Sequence, residues 1–168
     1  MNCEEAKKYA LRILADTAIT VGIVFLLFRV LFNIVVVDGV SMLPTFRDGS
    51  VILTQCHFYE PQRGDIVVCD CDWYGGYIVK RIIAVEGDTI DIDFDTGDVT
   101  VNGEVIQEPY INEKTHENMG VEFPLVVGDG RVFVMGDNRN SSLDSRHPNV
   151  GTIERDDIKG KYLLSIIP

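Results

Sequence analysis

Three stretches of the 168-residue chain carry side chains able to do chemistry. The first is Gly39-Val40-Ser41-Met42-Leu43-Pro44-Thr45, where Gly39 permits a tight approach to Ser41 and Pro44 fixes the chain behind it. A serine in such a loop is a turn or cap residue unless a base stands beside it, in which case it is a nucleophile. The second is Tyr77-Ile78-Val79-Lys80-Arg81-Ile82-Ile83-Ala84. Read as a strand, it puts Ile78, Lys80, Ile82 and Ala84 on one face and Tyr77, Val79, Arg81 and Ile83 on the other. An ammonium on an inward apolar face must find a partner, snorkel to water or lose its proton. A free lysine titrates near ~10.4, so only about one in 2,500 is neutral at pH 7. Lowering that value by ~2–3 units costs roughly 3–4 kcal/mol and creates a general base near neutral pH. The plainer reading is an edge-strand lysine that reaches water. The third stretch is the eleven-residue run Gly136-Asp137-Asn138-Arg139-Asn140-Ser141-Ser142-Leu143-Asp144-Ser145-Arg146, with Leu143 its one apolar side chain. A loop so dense in hydrogen-bonding groups is either a solvated turn or a network bracing a site.

These residues need elements to hold them. Apolar residues make up 46% of the chain, yet the net charge is −11. The two facts agree because the apolar residues are concentrated. Residues 17–28 read TAITVGIVFLLF without a charge, and from residue 30 onward eleven basic residues face 23 acidic ones. Such an acidic body does not hold a nucleic-acid backbone, whose affinity comes from Lys and Arg neutralising phosphates. A spanning helix needs ~20 mostly apolar residues. Residues 9–29 supply them, with Arg12 and Asp16 four apart on one helix face and near the interface. Lys7, Lys8 and Arg12 flank the start against Arg29 alone at the end, which places the N-terminus in the cytoplasm and everything after ~30 outside. The expected organisation is a cytoplasmic tail (1–8), a transmembrane anchor (9–29) and an extracytoplasmic β-domain (30–168). A cleaved signal peptide would show an A-x-A-like site after the apolar run, and none follows it. A buried core helix is the other alternative.

The remainder reads as short strands: 33–37, 50–55, 65–70, 77–85, 89–93, 98–101, 104–106, 131–135 and 161–167. Gly- and Asp-rich turns separate them, and Asn102-Gly103 is a two-residue hairpin signal. The expected fold is mainly β, an antiparallel sheet or barrel-like domain preceded by one N-terminal transmembrane helix. The run DIDIDFDTGD (91, 93, 95, 98) fails the calcium-loop spacing and reads as a strand with its isoleucines inward. Arg63-Gly64-Asp65 reads as a turn. Cys56, Cys69 and Cys71 lie beyond the apolar segment; an odd count argues for free thiols, with a Cys56 bridge to one of the pair the alternative. No zinc spacing is present, and neither a metal nor a cofactor is expected. Trp73 and Tyr74 suit either a hairpin tip or a membrane interface.

In order along the chain, Ser41-Met42-x-Pro44-Thr45, Arg63-Gly64-Asp65-Ile66-Val67, Lys80-Arg81-Ile82 with Gly87-Asp88, and Gly136-Asp137-Asn138-Arg139 with Ser142, Asp144-Ser145-Arg146 and Gly151 follow one apolar anchor. Together they resemble the boxes of type I signal peptidases, in the short form of Gram-positive bacteria, over roughly residues 8–165. The resemblance implies a membrane-bound serine endopeptidase that removes signal peptides from exported preproteins. It implies Ser41 as nucleophile and Lys80 as the neutral base. Ser142 then orients the lysine, Asp137 pairs with Arg81, and Asp144 with Arg146 braces the same network. Met42 and Pro44 belong to the nucleophile box. The backbone N–H of Ser41 is one oxyanion donor. Gly39 stands where some members carry a serine, so the second donor is not assigned. The substrate adds as an extended strand to a groove flanked by Val35, Val37, Asp38, Tyr77, Ile78 and Val79. The partners implied are preproteins, membrane lipids and the secretion translocon, at a bacterial cell membrane crossed once. Two other readings remain: a Ser-His-Asp hydrolase built on His147 and Asp144, and a non-enzymatic tethered β-domain.

Overall fold

The structure is a computed structural model that describes residues 3–168. Residues 1 and 2, the start of the expected cytoplasmic tail, lie outside the described residues. Helix α1 (Cys3–Leu31) begins earlier and ends later than the expected 9–29, so most of the expected tail continues the helix. No proline interrupts it. The stretch Lys7–Leu31 is 25 residues long, or about 38 Å at 1.5 Å per residue, which exceeds the ~30 Å of a hydrocarbon core. None of its apolar window is buried, and Leu11, Leu14, Phe25 and Leu26 are all exposed. The helix is therefore not the core helix of the domain that follows.

The helix passes into β1 (Phe32–Val36) without a linker, and the Cys56 N–H donates to Leu31 O at the junction. The further strands are β2 (Val51–Gln55), β3 (Ile66–Cys71), β4 (Gly76–Val85), β5 (Thr89–Asp93), β6 (Asp98–Val101), β7 (Glu104–Val105), β8 (Leu125–Val126), β9 (Arg131–Met135), β10 (Ile153–Glu154) and β11 (Ile158–Ile167). They form two open antiparallel sheets. One has seven strands in the order β1-β2-β11-β3-β4-β9-β10; the other has four in the order β7-β6-β5-β8. Nine strands fall where the sequence pattern puts them, three of them with the same bounds and the rest within three residues. β8 and β10 were not expected, because two residues are too few to show an alternation.

The local chemistry explains the strands. β5 buries Ile90 and Ile92 and exposes Asp91 and Asp93, as its period of two requires. Asn102 (φ 54°) and Gly103 (φ 82°) join β6 to β7 with both central residues in the left-handed region, the type I′ hairpin that Asn-Gly favours. Cys69 and Cys71 point into one apolar core with Val67, Ile78, Ile82 and Val134. Both are free thiols, as is Cys56. Burial pushes the Cys69 thiol up to about 12, leaving it an inert core side chain.

The expected face of the 77–84 strand needs one correction. Ile78, Lys80 and Ile82 are buried together, but the pairing of β4 with β9 shifts between Ile82 and Ala84. This bulge sends Ile83 and Ala84 into a second core with Ile90, Val99 and Phe133, so Ala84 does not share the face of Lys80. One strand thus serves both sheets, with the lysine on the near half and the link to the small sheet on the far half.

The C-terminal strand β11 lies between β2 and β3, and Gly160 is its tightest point. A Cβ there would sit 2.8 Å from Thr54 Oγ1 and 3.0 Å from Thr54 Cβ. Gly160→Ala is expected to cost about 1–3 kcal/mol by overpacking, read as a lowered urea midpoint of the detergent-solubilised chain.

Candidate active site

The Ser41 turn is set by its neighbour. Met42 is fully buried with Val37, Phe46, Ile52 and Ile66, so the turn is anchored by an apolar side chain and Ser41 is left facing out. Leu43 N–H donates to Val40 O and Phe46 N–H to Met42 O, which closes the turn over Pro44. Gly39 takes φ +84°, a left-handed conformation that a side chain strains, and its N–H donates to Asp48 Oδ1 at 2.8 Å. That amide is therefore occupied. The Ser41 N–H has no hydrogen-bond acceptor among the described residues.

Lys80 comes from β4, where the strand's alternation turns it inward between Ile78 and Ile82. It is 4% exposed. Its Nζ lies 2.8 Å from Ser41 Oγ and 3.0 Å from Val79 O. Burial pushes its proton affinity below that of an ordinary lysine; Asp144 and, more weakly, Asp137 oppose that shift without overcoming it. Serine hydroxyl and amine are thus in direct contact.

The polar loop after β9 is a buried network and not a solvated turn. Arg139, Arg146, Asp137 and Asp144 are all fully buried. Arg146 grips Asp144 through Nε and Nη2, both at 2.8 Å, and Asp144 Oδ2 also accepts the Gly136 N–H. Arg81, on the opposite face of β4 from Lys80, holds Asp137 bidentately at 2.8 and 2.7 Å. Asp137 in turn accepts from Thr45 Oγ1 in the nucleophile loop. The Asn138 N–H donates to Ser41 O and its side-chain amide to Val40 O, each at 3.0 Å. Hydrogen bonds therefore tie the backbone of the nucleophile to the loop on both sides of Ser41. Breaking any of these buried pairs leaves an uncompensated charge, at about 3–5 kcal/mol.

Ser142 is buried in the same loop, but its Oγ makes no hydrogen bond among the described residues. The lysine contacts are to Ser41 and Val79. A groove of about 350 Å³ opens in front of Ser41 and Lys80. Val35, Val37, Asp38, Tyr77, Ile78 and Val79 all line it, joined by Tyr74 and Leu143, which the sequence reading did not place there. Tyr74 arrives on the β3–β4 turn, whose Trp73 stacks on the His147 ring at 5.1 Å between centroids.

The chain that carries this site is similar to known proteins. The family model described as "Signal peptidase, peptidase S26" matches residues 10–167. The chain belongs to that family. It is a serine endopeptidase of the signal peptidase I type. It is 39% identical to signal peptidase I of Bacillus licheniformis over 160 residues, covering 89% of this chain and 84% of the relative. It is 38% identical to signal peptidase I T of Bacillus subtilis (strain 168), with coverages of 89% and 81%. The crystal structure of a signal peptidase I from Enterococcus faecalis V583 superposes with a TM-score of 0.52 at 29% identity, covering 64% of this chain and all of that one.

The alternative triad does not assemble in this enzyme. Both Asp144 oxygens are taken by Arg146, and His147 Nδ1 accepts the Asn149 N–H while its ring stacks on Trp73. Sequence reasoning missed Glu108, Tyr110 and Thr115, which reach the loop from the segment after β7. Glu108 and Thr115 bond to Arg139, and Tyr110 lies under Arg81. That segment has no periodicity to flag it.

Gly136 is the pinch of the site. A Cβ there would lie 2.1 Å from Ser142 Oγ and 2.5 Å from Ser41 O. Gly136→Ala must displace one or both, and a shift of ~1 Å at a reacting group costs about 100-fold in rate. Its kcat for preprotein cleavage is expected to fall by about that factor or more.

Proposed function

We propose that this enzyme is a single-pass membrane protease that removes signal peptides from exported preproteins with a Ser41/Lys80 dyad. The contact of 2.8 Å between Lys80 Nζ and Ser41 Oγ, with the amine buried and its proton affinity lowered, carries the reading. Neutral Lys80 accepts the Ser41 proton as Oγ attacks the scissile carbonyl. The protonated lysine then supplies that proton to the leaving amine. A water gives its proton to Lys80 and attacks the acyl-enzyme, and Lys80 passes that proton to Ser41 Oγ as the ester bond breaks, which restores both groups. The unpartnered Ser41 N–H is one donor to the oxyanion. Asp137–Arg81 and Asp144–Arg146 act by holding the loop.

The groove suits an extended peptide with small side chains, since β-branched walls from β1 and β4 leave shallow room. Helix α1 serves as the anchor. The excess of Lys7, Lys8 and Arg12 over Arg29 supports a cytoplasmic N-terminus and an extracytoplasmic catalytic domain at the bacterial membrane. The partners are preproteins, bilayer lipids and the translocon that delivers the substrate.

The test is cleavage of a preprotein by the full chain in liposomes, with the product's N-terminus sequenced. Ser41→Ala is expected to abolish cleavage and Lys80→Ala to lower it by about 10²–10⁴-fold. His147→Ala is expected to stay active. Activity in Lys80→Ala equal to the parent's would remove the dyad. The pH dependence has a definite sign. Protonated Lys80 cannot accept the serine proton, so kcat/KM rises with pH as that proton leaves. Because burial depresses the lysine, the midpoint lies below its ordinary value of 10.5.

A further inference from the structure

We infer that Tyr110, with Glu108, is a positioning residue for the reaction: it clamps the two guanidiniums that hold the nucleophile loop and the polar loop together. The inference rests on the dyad reading above and extends it to residues of the small-sheet side of the domain.

Two arms run from the 106–115 segment to the site. In the first, Glu108 receives both Nη1 (2.7 Å) and Nη2 of Arg139, and Thr115 Oγ1 accepts from Nη1 at 3.0 Å. Arg139 is fully buried, and burial alone would work against its charge; the Glu108 contact more than restores it. The same guanidinium donates through Nε to Gly136 O at 3.2 Å. Gly136 is the residue packed between Ser142 and Ser41 O. In the second arm, the Arg81 guanidinium lies 4.0 Å from the centre of the Tyr110 ring while donating to Asp137, and Asp137 accepts from Thr45 of the nucleophile loop. Tyr110 joins the arms. Its Oη donates to Glu108 Oε1 at 3.0 Å, and the Arg139 guanidinium lies 5.9 Å from the same ring.

Arg81 is already paired with Asp137, and both guanidiniums lie near the one Tyr110 ring. The ring places its negative face against one, and the carboxylate neutralises the other. Neither Tyr110 nor Glu108 lines the groove, so their loss acts on the alignment of Ser41 and Lys80 and not on substrate contact.

The experiment measures kcat and KM for preprotein cleavage by the detergent-solubilised full chain. The variants are Tyr110→Leu, Tyr110→Phe and Tyr110→Trp, with Ser41→Ala in parallel and folded fractions matched by circular dichroism. Loss of the ring face in Tyr110→Leu is expected to lower kcat by about tenfold with KM within about twofold, since a desolvated cation–ring contact is worth that order. Tyr110→Phe and Tyr110→Trp keep the face and are expected to hold kcat within about threefold of the parent. Equal kcat in Tyr110→Leu and the parent overturns the inference. So does a loss that appears in KM, or that is as large in Tyr110→Phe and Tyr110→Trp as in Tyr110→Leu. An active Ser41→Ala would instead overturn the dyad, which separates the two failures.

Discussion

A primary amine stripped of water beside a serine hydroxyl is the interaction on which the rest of this structure depends. Lys80 on a solvated strand would hold its proton and do nothing. Between Ile78 and Ile82 it loses hydration, and the charged form becomes the costly one. A group harder to protonate in the folded chain than in the unfolded one lowers the stability of the fold at neutral pH. The domain around it must be well enough packed to absorb that loss. The three apolar clusters, which meet along β4 and the nucleophile turn, supply the packing.

Much charge is buried close to the lysine, yet its proton affinity stays below that of an ordinary lysine. Asp137 and Asp144 would each favour the ammonium if left bare. Each is instead matched by its own guanidinium, Arg81 and Arg146. Their fields are largely spent on those partners, so desolvation remains the stronger influence on Lys80. The pairs also have a mechanical effect. Bidentate forks fix orientation as well as distance, and Asp137, held by Arg81, also accepts from Thr45 and so links the loop to the nucleophile turn. Rigid polar bracing on one side of the Ser41–Lys80 contact and an apolar groove on the other give the site an inside and an entrance.

Division of labour between the two sheets follows from one irregularity. Without the bulge at Ile83, β4 would continue to alternate in register, and the small sheet would not meet the large one where it does. With it, Asp88 in the β4–β5 turn bonds Arg63, the Val85 N–H and Asn102, joining the turn before β3 to the β6–β7 hairpin. The small sheet is thereby held at the angle that lets its following segment reach Arg81 and Arg139. The acidic surplus plays no part in this network. It lies on exposed positions such as Asp91 and Asp93, where it is solvated.

Much of this was legible in the residues themselves. An apolar run of spanning length, alternating strands, Asn-Gly hairpin chemistry and a serine, a lysine and a polar loop in order each follow from local rules. Local rules act over a few residues, which is why they found the long strands and missed β8 and β10. They also could not see a bulge, because the extra residue at 83 is defined only against β9. Tertiary structure alone decided the rest. It brought Lys80 to Ser41 across 39 residues, Arg81 to Asp137 across 56, and Arg139 to Glu108 across 31. It also left the Ser142 hydroxyl without the lysine contact expected of it, and took the Gly39 amide for Asp48. The sequence by itself determined which groups are present and, up to the bulge at Ile83, which face of β4 each one takes. Whether a lysine keeps its proton depends on what surrounds it on every side, and only the packed sheets decide that.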